Sequence, residues 1–129
     1  MSRGVILVTL LALMQFVFLG ALVMRARVSL GVFAPAMGGP PAFERLVRVH
    51  LNTMERLIVF LPLLWLAANT LHNDAAAAIG VLFIFSRHLY WRGYVRDPAR
   101  RRLGNVMTMF AIAVLLVMVL LGLARNAMA

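Results

Sequence analysis

The chain has 129 residues, 64% of them hydrophobic, and a mean hydropathy of +0.93, whereas about 45–50% of residues are apolar in a soluble domain. Its 13 basic residues, all arginine, exceed the 4 acidic ones and lie between apolar runs, which argues against nucleic acid and favours a membrane surface or an anionic ligand. The absence of cysteine excludes disulfides and thiolate–metal sites, so we expect no metal and expect any thiol to come from the substrate.

The first apolar stretch runs from Val5 to Val23 and is long enough to cross the hydrocarbon core of a bilayer. A signal peptide is the alternative, because Arg3 precedes the stretch. The run is long for the apolar part of a signal peptide, and Arg25 and Arg27 follow it without a suitable cleavage site. We therefore expect an uncleaved helix over residues 5–25.

The segment Gly31–Pro41 contains three glycines and three prolines and is predicted to be a loop. The next apolar run, Leu57–Ala68, is short for a membrane span but becomes long enough if its helix covers residues 42–70. Pro62 should kink this helix, which a membrane bundle tolerates.

Two more helices are predicted at residues 75–96 and 103–125. A tight turn at residues 72–74 precedes the first of them, and the pair Asp97–Pro98 ends it. Residues 1–129 are thus expected to form a single all-α domain, an integral membrane four-helix bundle.

The arginines are distributed unevenly between the two ends of this bundle. Eleven lie in or beside the loops between helices one and two and between helices three and four, whereas only Arg3 and Arg125 lie at the opposite end. The positive-inside rule predicts that these two loops are cytoplasmic. The protein would therefore be a multi-pass membrane protein, of the inner membrane if the host is bacterial.

Polar residues also fall on faces of two predicted helices. At 100° per residue, the polar residues of helix two lie within an arc of about 100°; they are Arg45, Arg48, Asn52, Glu55 and Arg56. A snorkelling interfacial face with an Arg–Glu pair is one interpretation, but an amide such as Asn52 gains little from facing lipid. The other interpretation is a cavity inside the bundle.

On helix three, Arg87, Tyr90 and Tyr94 share one side through spacings of three and four. These tyrosines, with Trp91, are also typical of an interfacial aromatic belt. If the polar faces of helices two and three form a binding site, they offer it arginines, an amide, a carboxylate and tyrosines. These groups suit a small molecule with carboxylates, an ammonium group and amides. Glutathione fits this description, although a lipid headgroup would use similar arginines.

Two segments carry a family resemblance. The stretch Glu44–Glu55 (ERLVRVHLNTME) and the stretch Ser86–Pro98 (SRHLYWRGYVRDP) resemble the helix-two and helix-three signatures of the MAPEG family, the membrane-associated proteins of eicosanoid and glutathione metabolism. The likeness covers nearly the whole chain and is greatest to the branch of leukotriene-C synthase and microsomal glutathione transferase. It implies a homotrimer with three intersubunit sites.

The resemblance also implies roles for individual residues. Arg48, Asn52 and Glu55 match residues that hold glutathione, and Tyr90 and Tyr94 match tyrosines that line the same site.

Three further residues are matched in the same way. Arg27 and His50 match positions that reach the ligand from the adjacent subunit, although the synthase has Gln in place of His50. Arg101 matches the arginine that stabilises the thiolate, and its neighbours in the same run, Arg100 and Arg102, are the alternatives for this role. Arg56 departs from the pattern, because the synthase has Tyr there.

The function implied is a membrane glutathione transferase or peroxidase, in which glutathione is the co-substrate and a lipophilic electrophile or lipid hydroperoxide enters from the bilayer. A guanidinium near the thiol would favour the reactive thiolate. The alternatives are a non-catalytic, lipid-binding scaffold of the lipoxygenase-activating type and a small membrane protein whose polar face only mediates assembly.

Overall fold

The computed structural model describes all residues from Met1 to Ala129 and consists of helices and their connections. Four α-helices follow one another along the chain, with a short 3-10 helix before the last. They are α1 (Arg3–Leu30), α2 (Pro41–Thr70), α3 (Asn73–Arg96), the 3-10 turn Pro98–Arg101 and α4 (Arg102–Met128).

Helix α1 continues beyond the predicted end at residue 25. Its last turns remain helical because Val23 and Ala26 are buried against Phe43 and Val47 of α2. The helix begins where the Ser2 hydroxyl accepts a hydrogen bond from the Val5 amide and ends at Gly31, whose φ of 66° is the left-handed conformation that glycine adopts without steric cost.

Helix α2 begins directly after the glycine- and proline-rich segment, with Pro41 in its first turn, where a proline leaves no hydrogen bond unmade. Pro62 lies inside the helix without ending it. The connection to α3 is very short: the His72 ring accepts a hydrogen bond from the Ala75 amide and caps α3.

The two ends of the bundle are defined by contacts between distant residues. At one end, the Ser2 amide donates to the Asn73 side chain over 3.1 Å. At the other end, Arg45 donates to the carbonyl oxygens of Val95 and Arg96 and so satisfies the last turn of α3. The α1–α2 and α3–α4 connections therefore share one end, and the chain start and the α2–α3 turn share the other.

Three helical segments are long and apolar enough to cross a membrane: α1, α2 and Pro98–Met128. Helix α3 has a suitable length but is less apolar, because it carries Arg87, His88, Arg92 and Arg96. It contacts all the other helices, and part of its polar surface is thereby enclosed by protein. Many large apolar side chains of α1 and α4 are exposed and form a surface suited to lipid.

The apolar core fills the half of the bundle away from the long loops. The rings of Phe60 on α2 and Phe83 on α3 stack at its centre with centroids 3.7 Å apart, and both side chains are fully buried. Beyond them, towards the long loops, the interior becomes polar. The candidate functional site lies in this polar part of the bundle.

Candidate functional site

A polar cavity opens between α2, α3 and α4 at the end of the bundle that carries the long loops. Its volume is about 300 Å³, and we call it the arginine cavity. The residues that line it are Arg48, Asn52, Arg56, Tyr90, Tyr94, Arg101 and Asn105.

The α2 wall of the arginine cavity is a stripe with a spacing of four residues: Arg48, Asn52 and Arg56. Such a stripe follows one ridge of a helix, since residues four apart lie one above the other. Glu55 is exposed and is not among the lining residues. It lies about 100° around the helix from Arg56 and about 60° from Asn52, but only about 20° from Arg48, so it stands at the edge of this face of α2.

The opposite wall consists of two tyrosines of α3 and the beginning of α4. Tyr90 is buried and Tyr94 is partly buried, and their ring centroids are 5.7 Å apart. The Arg101 guanidinium lies over the Tyr94 ring, 5.5 Å from its centroid. This geometry permits a cation–π interaction and holds the arginine at the cavity mouth.

Helices α3 and α4 approach closely enough to form this wall because residue 104 is glycine. A Cβ atom on Gly104 would lie 2.4 Å from the backbone nitrogen of Tyr90, and this distance is too short for any side chain at position 104. One turn further along α4, the hydroxyl groups of Ser86 and Thr108 are hydrogen-bonded at 2.8 Å. The close approach places Asn105 beside the tyrosines.

Arg87 lies beneath the arginine cavity and is fully buried, with 0% of its side chain exposed. Its guanidinium donates to the Asn52 carbonyl oxygen over 3.2 Å and to the Thr53 hydroxyl over 2.8 Å. A longer contact of 3.5 Å reaches the Thr108 hydroxyl, and the guanidinium carbon lies 4.1 Å from the Tyr90 ring centroid. Arg87 thereby connects α2, α3 and α4 under the floor of the cavity.

The bond from Arg87 determines which way the Asn52 amide faces. Because its oxygen Oδ1 accepts from Arg87, its NH₂ group remains available to the cavity as a donor. Three guanidinium groups add further donors, and the lining contains no carboxylate. The arrangement therefore suits a ligand rich in acceptors and negative charge.

The structure brings together five of the eight residues that the sequence singled out. Arg48, Asn52, Tyr90, Tyr94 and Arg101 line the arginine cavity, whereas Arg27, His50 and Glu55 do not.

Arg27 and His50 lie elsewhere in the single chain. Arg27 donates to the carbonyl oxygen of Ala36 over 2.7 Å and lies over the Phe43 ring, so it fastens the loop after α1. His50 stacks on the ring of Phe16 with a centroid distance of 4.5 Å, on the α1 side of α2. Neither side chain faces the arginine cavity of its own chain.

Two lining residues and the floor were not among the predicted site residues. The sequence places Arg56 on the polar face of helix two, but the family resemblance gives it no role, because the synthase has Tyr there. Asn105 stands four residues after Arg101, and this helical spacing is the signal that could have found it. The sequence predicts that Arg87 shares a helical face with Tyr90 and Tyr94. Its complete burial also depends on the close approach of α4, which the sequence of α3 does not reveal.

The run of three arginines before α4 is separated by the fold. Arg101 lines the arginine cavity, and Arg102 lines only a recess beside it. Arg100 lies on the other side of the turn, in a groove with Arg92 and Arg96. Of the three, Arg101 is the one that faces the two tyrosines.

Comparison with known proteins identifies a family and several similar relatives. The model of the MAPEG family matches residues 5–121. The chain is 38% identical to an uncharacterized protein of Synechocystis over 117 residues, which are 91% of this chain and 85% of that protein. It is 34% identical to leukotriene C4 synthase of Bos taurus and to microsomal glutathione S-transferase 2 of Mus musculus, over 92% of this chain and 79% and 81% of theirs.

The family match covers nearly the full length of the four-helix bundle, including all the residues that line the arginine cavity. The helices that are long and apolar enough to span a bilayer agree with this assignment to a membrane family. The chain is an integral membrane protein that belongs to the MAPEG family.

Proposed function

We propose that this protein is a membrane-bound glutathione transferase, with a capacity for peroxidase chemistry, and that the arginine cavity binds glutathione. The observation that carries the proposal is the cavity itself: three guanidinium groups, an amide donor and two tyrosines converge, and no carboxylate opposes them. A relative named microsomal glutathione S-transferase 2 supports the same substrate.

Glutathione matches the cavity group by group. It has two carboxylates, which the guanidinium groups of Arg48 and Arg56 can bind through their planar forks. Its peptide carbonyls can accept from the NH₂ group of Asn52. Its ammonium group requires an acceptor, and the acceptor that we propose is Glu55, which is exposed on α2 three residues after Asn52 and outside the cavity lining.

A homotrimer is part of the proposal. Arg27 and His50 lie away from the arginine cavity of their own chain, as expected if the partner subunit's Arg27 and the partner subunit's His50 complete the site. The exposed apolar side chains of α1 and α4 provide ample surface for both subunit and lipid contacts.

The chemistry would begin with ionisation of the thiol. A cysteinyl thiol has a pKa of about 8.5, and a neighbouring cation lowers the pKa by stabilising the thiolate. Arg101, held over Tyr94 at the cavity mouth, supplies this cation. The thiol proton passes to solvent.

The thiolate then attacks a lipophilic substrate that arrives through the bilayer. With an electrophilic carbon, a C–S bond forms and the leaving group departs with its electron pair. With a lipid hydroperoxide, sulfur takes the terminal oxygen, the O–O bond breaks and an alcohol leaves. A second glutathione then yields water and the disulfide, so that two thiols are oxidised for each peroxide reduced.

The test is glutathione-dependent conjugation of 1-chloro-2,4-dinitrobenzene by protein purified in detergent. Wild-type protein should form the conjugate, and Asn52→Ala should form it more slowly. Asn69→Ala is the matched control, because Asn69 is exposed near the far end of α2. Binding of glutathione without conjugation or peroxide reduction would favour the non-catalytic scaffold, and absence of binding would refute the proposal.

A further inference from the structure

Arg87 is a buried cation whose hydrogen-bond partners are all neutral. Its side chain is 0% exposed, and it donates to Asn52, Thr53 and Thr108. The guanidinium remains protonated at any physiological pH. A buried charge without a countercharge is strongly unfavourable, whereas a paired one is much less so.

The chain itself does not provide the countercharge. All four carboxylates, those of Glu44, Glu55, Asp74 and Asp97, are exposed. Glu44 accepts from the Gly39 amide and Asp97 from the Ala99 amide, while Asp74 lies in the first turn of α3 at the opposite end of the helix from Arg96. None of them can neutralise Arg87 from within the bundle.

Two of the residues that contact Arg87, Asn52 and Tyr90, also line the arginine cavity. The Arg87 Nε atom is buried without a hydrogen-bond partner. An anion in the arginine cavity would therefore lie one side chain away from an uncompensated positive charge.

We propose that Arg87 is the positioning residue of the arginine cavity and that the bound anion, rather than any carboxylate of the chain, balances its charge. This inference rests on the proposed function for the identity of the anion. Arg87 fixes the Asn52 amide with its donor towards the ligand and supports the Tyr90 ring. Its charge makes the empty bundle less stable and makes the stability of the bundle depend on an anionic ligand.

The experiment compares thermal unfolding and glutathione affinity in detergent for wild type, Arg87→Gln and Arg87→Lys. Arg87→Gln keeps a hydrogen-bond donor but removes the charge. It should unfold at the same temperature as the ligand-free wild type or higher, yet lose most of the upward shift produced by saturating glutathione and bind glutathione at least about tenfold more weakly. Arg87→Lys, which keeps the charge, should retain the larger part of the shift.

A purely structural arginine would behave in the opposite way. Arg87→Gln would then lower the unfolding temperature of the ligand-free protein and leave the glutathione-induced shift unchanged, and this result would overturn the inference. If Arg87→Gln does not fold, the result for Arg87→Lys decides whether the inference holds. A variant Arg87→Lys whose unfolding temperature no longer rises with glutathione would contradict the role that we assign to the charge.

Sulfate separates failure of this inference from failure of the proposed function. If wild type does not respond to glutathione, the proposed function is wrong. Stabilisation of wild type by sulfate, absent in Arg87→Gln, would still support the link between anion and stability. Stabilisation by glutathione that is equal in wild type and Arg87→Gln would refute the inference and leave the proposed function standing.

Discussion

The guanidinium carbon of Arg101 lies 5.5 Å from the centre of the Tyr94 ring, and both side chains line the arginine cavity. Arg100 and Arg102 flank Arg101 in sequence but do not line this cavity. The 3-10 turn before α4 therefore presents one arginine of the three to the tyrosines.

This arrangement leads to a prediction for Arg101→Ala. The variant should bind glutathione with nearly wild-type affinity but turn over more slowly at neutral pH, because the thiol pKa returns towards its ordinary value of about 8.5. Raising the pH should restore part of the rate, since the thiol then ionises without assistance. A pH–rate profile measures the effect.

The neighbouring variants Arg100→Ala and Arg102→Ala serve as matched controls, because each removes one charge from the same turn. They should change the profile only slightly, and salt should weaken that change. Equal losses in all three variants would mean that diffuse positive potential, rather than Arg101, acts on the thiol.

Arg48→Ala should weaken glutathione binding. The change removes a charge-assisted hydrogen bond to a carboxylate, worth about 1.5–3 kcal/mol, so the affinity should fall by at least about tenfold. Calorimetry in detergent measures this, and Arg125→Ala, which removes one charge near the C-terminal end of α4, is the control. Unchanged binding by Arg48→Ala would mean that this face of α2 is structural.

Gly104→Ala tests the close approach of α3 and α4. The new methyl group would meet the backbone of Tyr90, so we expect a loss of about 1–3 kcal/mol in the free energy of unfolding, together with weaker glutathione binding as Tyr90 is displaced. Gly4→Ala is the control, because its Cβ would lie 3.3 Å from the Ala77 Cβ atom and away from the site. Equal stability of the two variants would contradict the account.

The topology of the chain in the membrane is a separate prediction. Eleven of the thirteen arginines lie towards the end that carries the two long loops, so this end should be cytoplasmic and both termini should lie outside the cytoplasm. Alkaline phosphatase fused after Ala129 should be active in a bacterial host. Activity only of reporters that require the cytoplasm, fused at the same residue, would reverse the orientation.

Much of the fold follows from local sequence signals. Apolar runs predict the helices, and Gly31 and Pro41 mark the boundaries of the first loop. Helix α1 extends past its predicted end because Ala26 is buried against α2, a contact that its own sequence does not reveal. The 3-10 turn was not predicted either, since it depends on the Asp97 side chain accepting from the Ala99 amide.

The candidate site, like the fold, was predictable as far as it depends on spacing within single helices. Helical spacing placed Arg48 and Asn52 on one face, and this face does line the arginine cavity. The same spacing included Arg45, which instead binds carbonyl oxygens at the end of α3. The burial of Arg87 depends on three helices meeting around it, and no periodicity within one helix encodes such a depth.

The central claim is that the arginine cavity binds glutathione and ionises its thiol. The most direct measurement is the ultraviolet absorbance of the thiolate when wild-type protein in detergent is mixed with glutathione at neutral pH, with S-methylglutathione as the reference that cannot ionise. We expect a thiolate band with glutathione alone, and a much weaker band in Arg101→Ala. Saturable glutathione binding without any thiolate band in the wild type would contradict the account.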